Sequence, residues 1–285
     1  MKKHKASKTD FTFANLPHTR TEVFFDVIKM RFSTLLFLGL LALVFALPLI
    51  VADFIFGIVH LNVFGSLASG AITNEQAGLY KSELNVLCSA VKIPLYAVYS
   101  VGLSGSVRII RQLVWGEPIF FRYDYKTGIK QNCLRYVVLA LCFGVCNFVS
   151  VLCSEFLPVE TIAFLPYGAM LFFVMPIILY SAAQSAVYTV KTIKSFKNGL
   201  SLYCKSPFKT LIFVAVPASF KLFDLMKASF GKYLIVSLLI VVITPLYVMA
   251  WLLVSFGVFD RYINAENYPD LYDKGIYRMD SKNPR

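Results

Sequence analysis

The chain has 285 residues, of which 58% are hydrophobic and 15% charged, and its formal net charge is +12. A soluble domain carries about 25% charged residues, so a water-facing coat is excluded, while 26 Phe and 16 Tyr bring more apolar surface than a disordered chain holds. What remains is an all-α polytopic membrane helical bundle, in which lipid replaces the polar coat. A bilayer core about 30 Å thick needs roughly 20 apolar helical residues to cross it.

Residues 1–31 form a basic amphipathic N-terminal segment with seven Lys and Arg. The stretch Phe32–Ala52 then runs without Asp, Glu, Lys or Arg and predicts a first span over about 32–55. Residues 54–74 are also charge-free, but His60, Asn62, Gly57, Gly65 and Gly70 predict an extension of the first helix followed by a loop. A second span is expected over 85–107, interrupted by Lys92, and further spans over 136–155 and 161–190. The segment 208–226 is the weakest, because Lys209, Pro217, Lys221 and Asp224 leave only Thr210–Phe220 charge-free. Lys221 and Asp224, three apart on a helix, can neutralise each other there. A last span over 233–259 precedes a tail, 260–285. The pattern predicts six spans arranged as three helical hairpins, with five as the competing count.

Charge sets the orientation, because Lys and Arg are retained on the cytoplasmic side of short loops. Seven lie up to Arg31, six between Arg108 and Arg135, five between Lys191 and Lys209, and five from Arg261 onward, so 23 of the 28 fall on one side. Both termini are therefore expected in the cytoplasm of a multi-pass plasma-membrane protein, with the basic face against anionic inner-leaflet lipids. A nucleic-acid partner is not expected, since no stretch is long enough to fold a basic reader domain. The first apolar run lacks a small-residue cleavage site and should stay as a span. Cys88 and Cys153 fall near outer ends, where a bridge is open to them, although free thiols buried in an apolar setting fit the six cysteines better.

Two segments repeat: Tyr125-Lys126-Thr127-Gly128-Ile129 and, 71 residues later, Phe196-Lys197-Asn198-Gly199-Leu200. Each is followed by a cysteine, a basic residue and an apolar run, and Phe25–Lys29 is a looser copy without the Gly. Such segments suit the membrane interface, with the Gly letting the chain turn from the membrane plane into the span; chance similarity is the alternative.

Catalytic chemistry has little to work with. Three separated histidines and the absence of metal, nucleophile-elbow or phosphate-loop motifs predict a non-enzyme without cofactors. The sharpest single residue is Lys92, since a Lys at bilayer centre costs roughly 2.5–3.5 kcal/mol on insertion scales. It predicts a polar site with Asp53 as counter-ion and Pro94 freeing backbone carbonyls. The plainer reading, favoured by the uncertain helix start, is that Lys92 lies a turn or two inside and snorkels outward. Ser100, Gly102, Ser104 and Gly105 have the spacing of close helix packing. Between Arg108 and Asn132, aromatics alternate with cations around Glu117 and Asp124, which reads as an interfacial elbow or as a docking surface for a cytoplasmic partner.

That elbow also carries a likeness. Arg111, Glu117, then Asp124-Tyr125-x-x-Gly128-x-Lys130-x-Asn132 leading into an apolar run resembles the YesL-like family of bacterial membrane proteins. The order of spans and Leu47-Pro48 are similar too, so the likeness covers most of the chain. That family has no established activity and is associated with carbohydrate ABC-type uptake systems. The resemblance implies an accessory or permease-like role beside transporter subunits or a partner ATPase, the alternative being a non-transporting interaction, assembly or regulatory factor. A permease's ATPase-docking helix would show alanines that the Asp124–Gly128 stretch lacks, and with no nucleotide-binding loop in the chain any ATP use belongs to a partner.

Overall fold

A computed structural model describes residues 16–157 and 164–277, apart from the side chains of residues 224 and 225. Every regular element among them is helical. Helix α1 (Arg20–Ala68) starts at Thr19, whose hydroxyl accepts the Glu22 N–H at 3.2 Å. Its backbone leaves helical geometry at Arg31 (φ −133°, ψ 26°), where the cationic segment meets the apolar run. Beyond that joint it continues unbroken through residues 54–68, so the expected helical extension is real and the loop shrinks to a few residues. Helix α2 (Asn74–Trp115) begins at a reciprocal cap between Thr73 and Gln76 and ends at Gly116, whose φ of 67° favours glycine. It therefore starts eleven residues before the expected span at Asn85.

Helix α3 (Phe121–Phe156) fuses the amphipathic elbow and the following apolar run into one rod. Helix α4 (Leu165–Val187) widens into a π turn over Met170–Val174 just before Pro176, which has no N–H for the preceding turn. The beginning of the span expected at 161 lies outside the described residues. Helix α5 (Thr192–Lys205) stops at Ser206 because Pro207 follows; Ser206 takes φ −145° and ψ 59°, away from the helical region that a residue before proline avoids. Helix α6 (Pro207–Ser219) leaves that corner at 110° and tightens into a 3₁₀ turn over Phe220–Leu225. The weak fifth segment is thus one half of a sharply bent helix pair. Helix α7 (Phe230–Phe259) continues through a π turn, Asp260–Asn264, to Asn267.

Among the described residues five helices, α1 to α4 and α7, are long and apolar enough to cross a membrane, and the bent pair α5–α6 makes a sixth if it counts as one span. Helix α1 lies between α2 and α7, and α3 packs along α2. The last helix finds its main partner in α1 rather than in α6, which is held only sparsely. Close approach explains the α1–α7 pairing: a Cβ on Gly39 would stand 1.8 Å from the Val241 carbonyl oxygen. With no solvent to expel in lipid, such backbone proximity is what holds spans together.

The best-buried side chains gather towards one end, where Leu35, Ile109, Ile110, Tyr180, Leu252 and Phe259 are almost inaccessible. Trp251 there donates its indole N–H to the Leu179 carbonyl at 3.0 Å. Phe37, Val44 and Val51 on α1 stay exposed, as expected for a lipid-facing stripe. No disulfide joins Cys88 to Cys153.

Candidate functional site

Polar side chains collect at two levels. At the level of Asp53, α1 and α2 are bridged by an ion pair, the less favoured of the two sequence readings: Lys92 Nζ lies 2.5 Å from Asp53 Oδ1. The pair is wedged between helices rather than snorkelling alone, with the Lys92 side chain 21% exposed and that of Asp53 44%. Tyr233 of α7 donates to the Asp53 carbonyl at 2.8 Å, tying a third helix to the same level. The ring of Pro94 does not line this pair. It is exposed, and residues two apart on a helix point to different faces.

Two to three turns nearer the start of α2, Glu155 of α3 accepts hydrogen bonds from Ser82 (2.5 Å) and Asn85 (2.7 Å). Asn85 Oδ1 in turn lies 3.1 Å from His60 Nε2 of α1. Three helices are thereby cross-linked through one carboxylate. Lys221 sits 3.7 Å over the Tyr167 ring, so its charge has an aromatic neighbour; the Asp224 side chain expected beside it lies outside the described ones.

At the opposite end the two repeat segments adopt the same role. Gly128 packs on α2, where a Cβ would come within 2.9 Å of Arg108 Cβ and 3.1 Å of Gly105 Cα. Gly199 packs on α4, where a Cβ would come within 2.9 Å of the Ile177 carbonyl oxygen. Asp124 and Ser195, also 71 residues apart, are both buried, while Lys126 and Lys197 are both exposed. Each repeat is an amphipathic arm folded back onto the helix before it. The glycines serve that close crossing and not a turn into the membrane, because both lie inside helices.

The first elbow is tied to the end of α4, from which the second arm sets out. Arg111 donates to the Ala186 carbonyl at 2.7 Å and Arg135 to the Tyr188 carbonyl at 3.2 Å, so cations of the first elbow cap the C-terminal end of α4. Tyr188 donates to Asn264 Oδ1 at 2.5 Å, and Asn264 donates to Asp260 Oδ1 at 2.7 Å. Asp260 completes the chain by pairing with Arg20 at 2.5 Å. Burial, reinforced by the Asp260 charge, pushes the Tyr188 phenol well above its ordinary range.

The remaining elbow residues face inward, which corrects the docking surface expected of them. Asp124 is 4% exposed, accepting from the Phe120 N–H at 2.8 Å and lying 3.6 Å from Arg108. Asn132 is buried on the same face. Glu117 pairs with Lys274 of the tail at 2.7 Å, and Lys274 and Arg111 both stack on Trp115. The residues turned outward are Arg122, Tyr123, Lys126 and Lys130.

Comparison adds no relative: the chain matches no family model, no curated protein and no solved structure. The site therefore rests on its own geometry.

Arg20, Tyr188, Asn264 and Lys274 were not singled out by the sequence, and Arg135 stood out only as the basic residue after the first repeat. Tail contacts close the basic end: the Tyr277 N–H meets the Pro17 carbonyl at 3.0 Å and its carbonyl meets His18 Nδ1 at 2.5 Å. Pro17, His18 and Tyr277 are thus together on one side of the bundle. Only the clustering of basic residues on that side hinted at it.

Proposed function

We infer that this chain is an accessory component of a carbohydrate uptake system in the plasma membrane, with its basic end in the cytoplasm. The observation that carries the reading is the pair of repeat arms, each presenting exposed cations at the end where both described termini meet. Arg122, Lys126 and Lys130 follow one another at four-residue steps on α3, and Lys191, Lys194 and Lys197 line the second arm. Phe120 and Tyr123 are exposed beside the first stripe, and Ile193 beside the second. Such a surface suits both an anionic leaflet and an acidic face on a transporter subunit. The carbohydrate association is part of this proposal and comes from the elbow motif Asp124-Tyr125-x-x-Gly128-x-Lys130-x-Asn132, which resembles the YesL-like family.

The test is co-purification from mild detergent. Transporter subunits should be recovered with the wild-type chain and lost when Arg122, Lys126 and Lys130 are all changed to Glu. Recovery without transporter subunits, or unchanged recovery in the triple variant, would overturn the reading.

A permease-like role is the second reading, favoured by the Asp53–Lys92 pair at the α1–α2 interface. It predicts uptake that falls in Lys92→Ala and Asp53→Ala variants whose membrane levels are normal. Normal uptake in both would remove it.

A further inference from the structure

Helix α6 stands apart from α1 and α7, and the gap is a groove of about 510 Å³. Three separate helices line it, and all are graded in one direction. On α1 the sequence runs from Arg20 to Phe24 one turn deeper; on α6 it runs from Lys209 to Ile212 and Phe213. On α7 the open rim is Gly257, where an added Cβ would meet nothing within 4 Å, and the wall continues through Val254 and Leu253. Cations therefore sit at the basic end of the groove, and apolar side chains fill the next turns toward the membrane centre. Ile212 is 69% exposed, so the apolar part opens sideways rather than into a closed core.

We propose that this groove is a binding site for one anionic phospholipid, its phosphate between Lys209 and Arg20 and an acyl chain along Phe24, Ile212, Phe213 and Leu253. The charge arithmetic favours an anion. Lys209 has no ion-pair partner among the described residues. Arg20 shares its charge with Asp260 and gives one N–H to the Lys274 carbonyl, but a guanidinium has five N–H donors, and these two contacts leave others for a phosphate. A zwitterionic headgroup would bring its own cation to a rim that already holds two.

A lipid there also explains how α6 is retained. The Tyr247 hydroxyl donates to the Phe213 carbonyl at 3.1 Å, and the Phe213 ring lies 5.2 Å from that of Trp251, but the mouth of the wedge is open. The bound chain completes that packing, so the broken helix is seated by lipid as well as by protein.

The experiment uses the full chain in a neutral detergent. Phosphatidylglycerol, phosphatidylcholine and inorganic phosphate are titrated separately while native mass spectra count the bound molecules. One phosphatidylglycerol should bind at least fivefold more tightly than phosphatidylcholine. Lys209→Gln should weaken it about fivefold, the loss expected for one interfacial cation, while Lys209→Arg should keep it. Gly257→Leu, which narrows the apolar rim without touching charge, should weaken both lipids. Equal affinity for the two lipids, or unchanged phosphatidylglycerol affinity in Lys209→Gln, would overturn the proposal. Inorganic phosphate binding as tightly as phosphatidylglycerol would overturn it too, by showing a free-anion site. None of these readouts depends on a transporter partner.

Discussion

Gly39→Ala is the substitution whose effect the structure fixes most narrowly. The added Cβ would stand 1.8 Å from the Val241 carbonyl oxygen, 2.7 Å from its carbonyl carbon and 3.0 Å from its Cα. All three are backbone atoms of a continuous helix, so no side chain can swing away. Relief requires α1 and α7 to separate by more than an ångström, and both helices carry neighbouring contacts with them. Overpacking of this kind costs about 1–3 kcal/mol, and a clash with backbone belongs at the upper end, about 2–3 kcal/mol. Gly65→Ala, in the same helix, is the control. Nothing lies within 4 Å of its Cβ, and alanine is the better helix former by up to about 1 kcal/mol. Unfolding in detergent, followed by tryptophan fluorescence, should therefore show destabilisation for position 39 and neutrality or a gain for position 65. Equal midpoints for the two variants would refute the close α1–α7 crossing.

The two repeat glycines should behave alike: Gly128→Ala and Gly199→Ala each cost about 1 kcal/mol or more in the same unfolding assay, because both meet packed neighbours inside 3 Å. Lys92→Met and Asp53→Leu should each destabilise, and the double variant should lose less than their sum, since each single change leaves the other charge unpaired at a helix interface. Glu117→Ala should release the tail that Lys274 holds, read as faster proteolytic cleavage after Lys274, with the rest of the bundle unchanged. Above pH 10, stability should fall as the unfolded Tyr188 ionises while burial keeps the folded phenol protonated, and Tyr188→Phe should flatten that part of the curve.

Apolar runs reveal spans because lipid demands them, so the runs over 32–52, 136–154, 165–187 and 233–259 all lie in helices. Their ends were less legible: α2 begins at Asn74 because Thr73 and Gln76 form a cap, and a local cap carries no hydropathy signal. The Asp53–Lys92 pair was legible because two opposite charges inside apolar helices need partners. The elbow misled in one respect. Asp124 and Asn132 look like surface groups by type, but their four-residue spacing with Gly128 places them on the face that packs against α2. The repeat was legible as a pattern, whereas its purpose depended on seeing Gly105 and Ile177 opposite the two glycines. The Arg20–Asp260–Asn264–Tyr188 chain joins residues up to 240 positions apart, and nothing local in the sequence announces it.

We propose that the bundle crosses the membrane with its basic elbows inside and the α1–α2 connection outside. Single cysteines at Ser69 and at Phe120, in a background whose six native cysteines are changed to Ser or Ala, test it with a membrane-impermeant maleimide on intact cells. Ser69→Cys should label at once and Phe120→Cys only after the membrane is permeabilised. Labelling in the reverse order, or equal labelling of both in intact cells, would contradict the account.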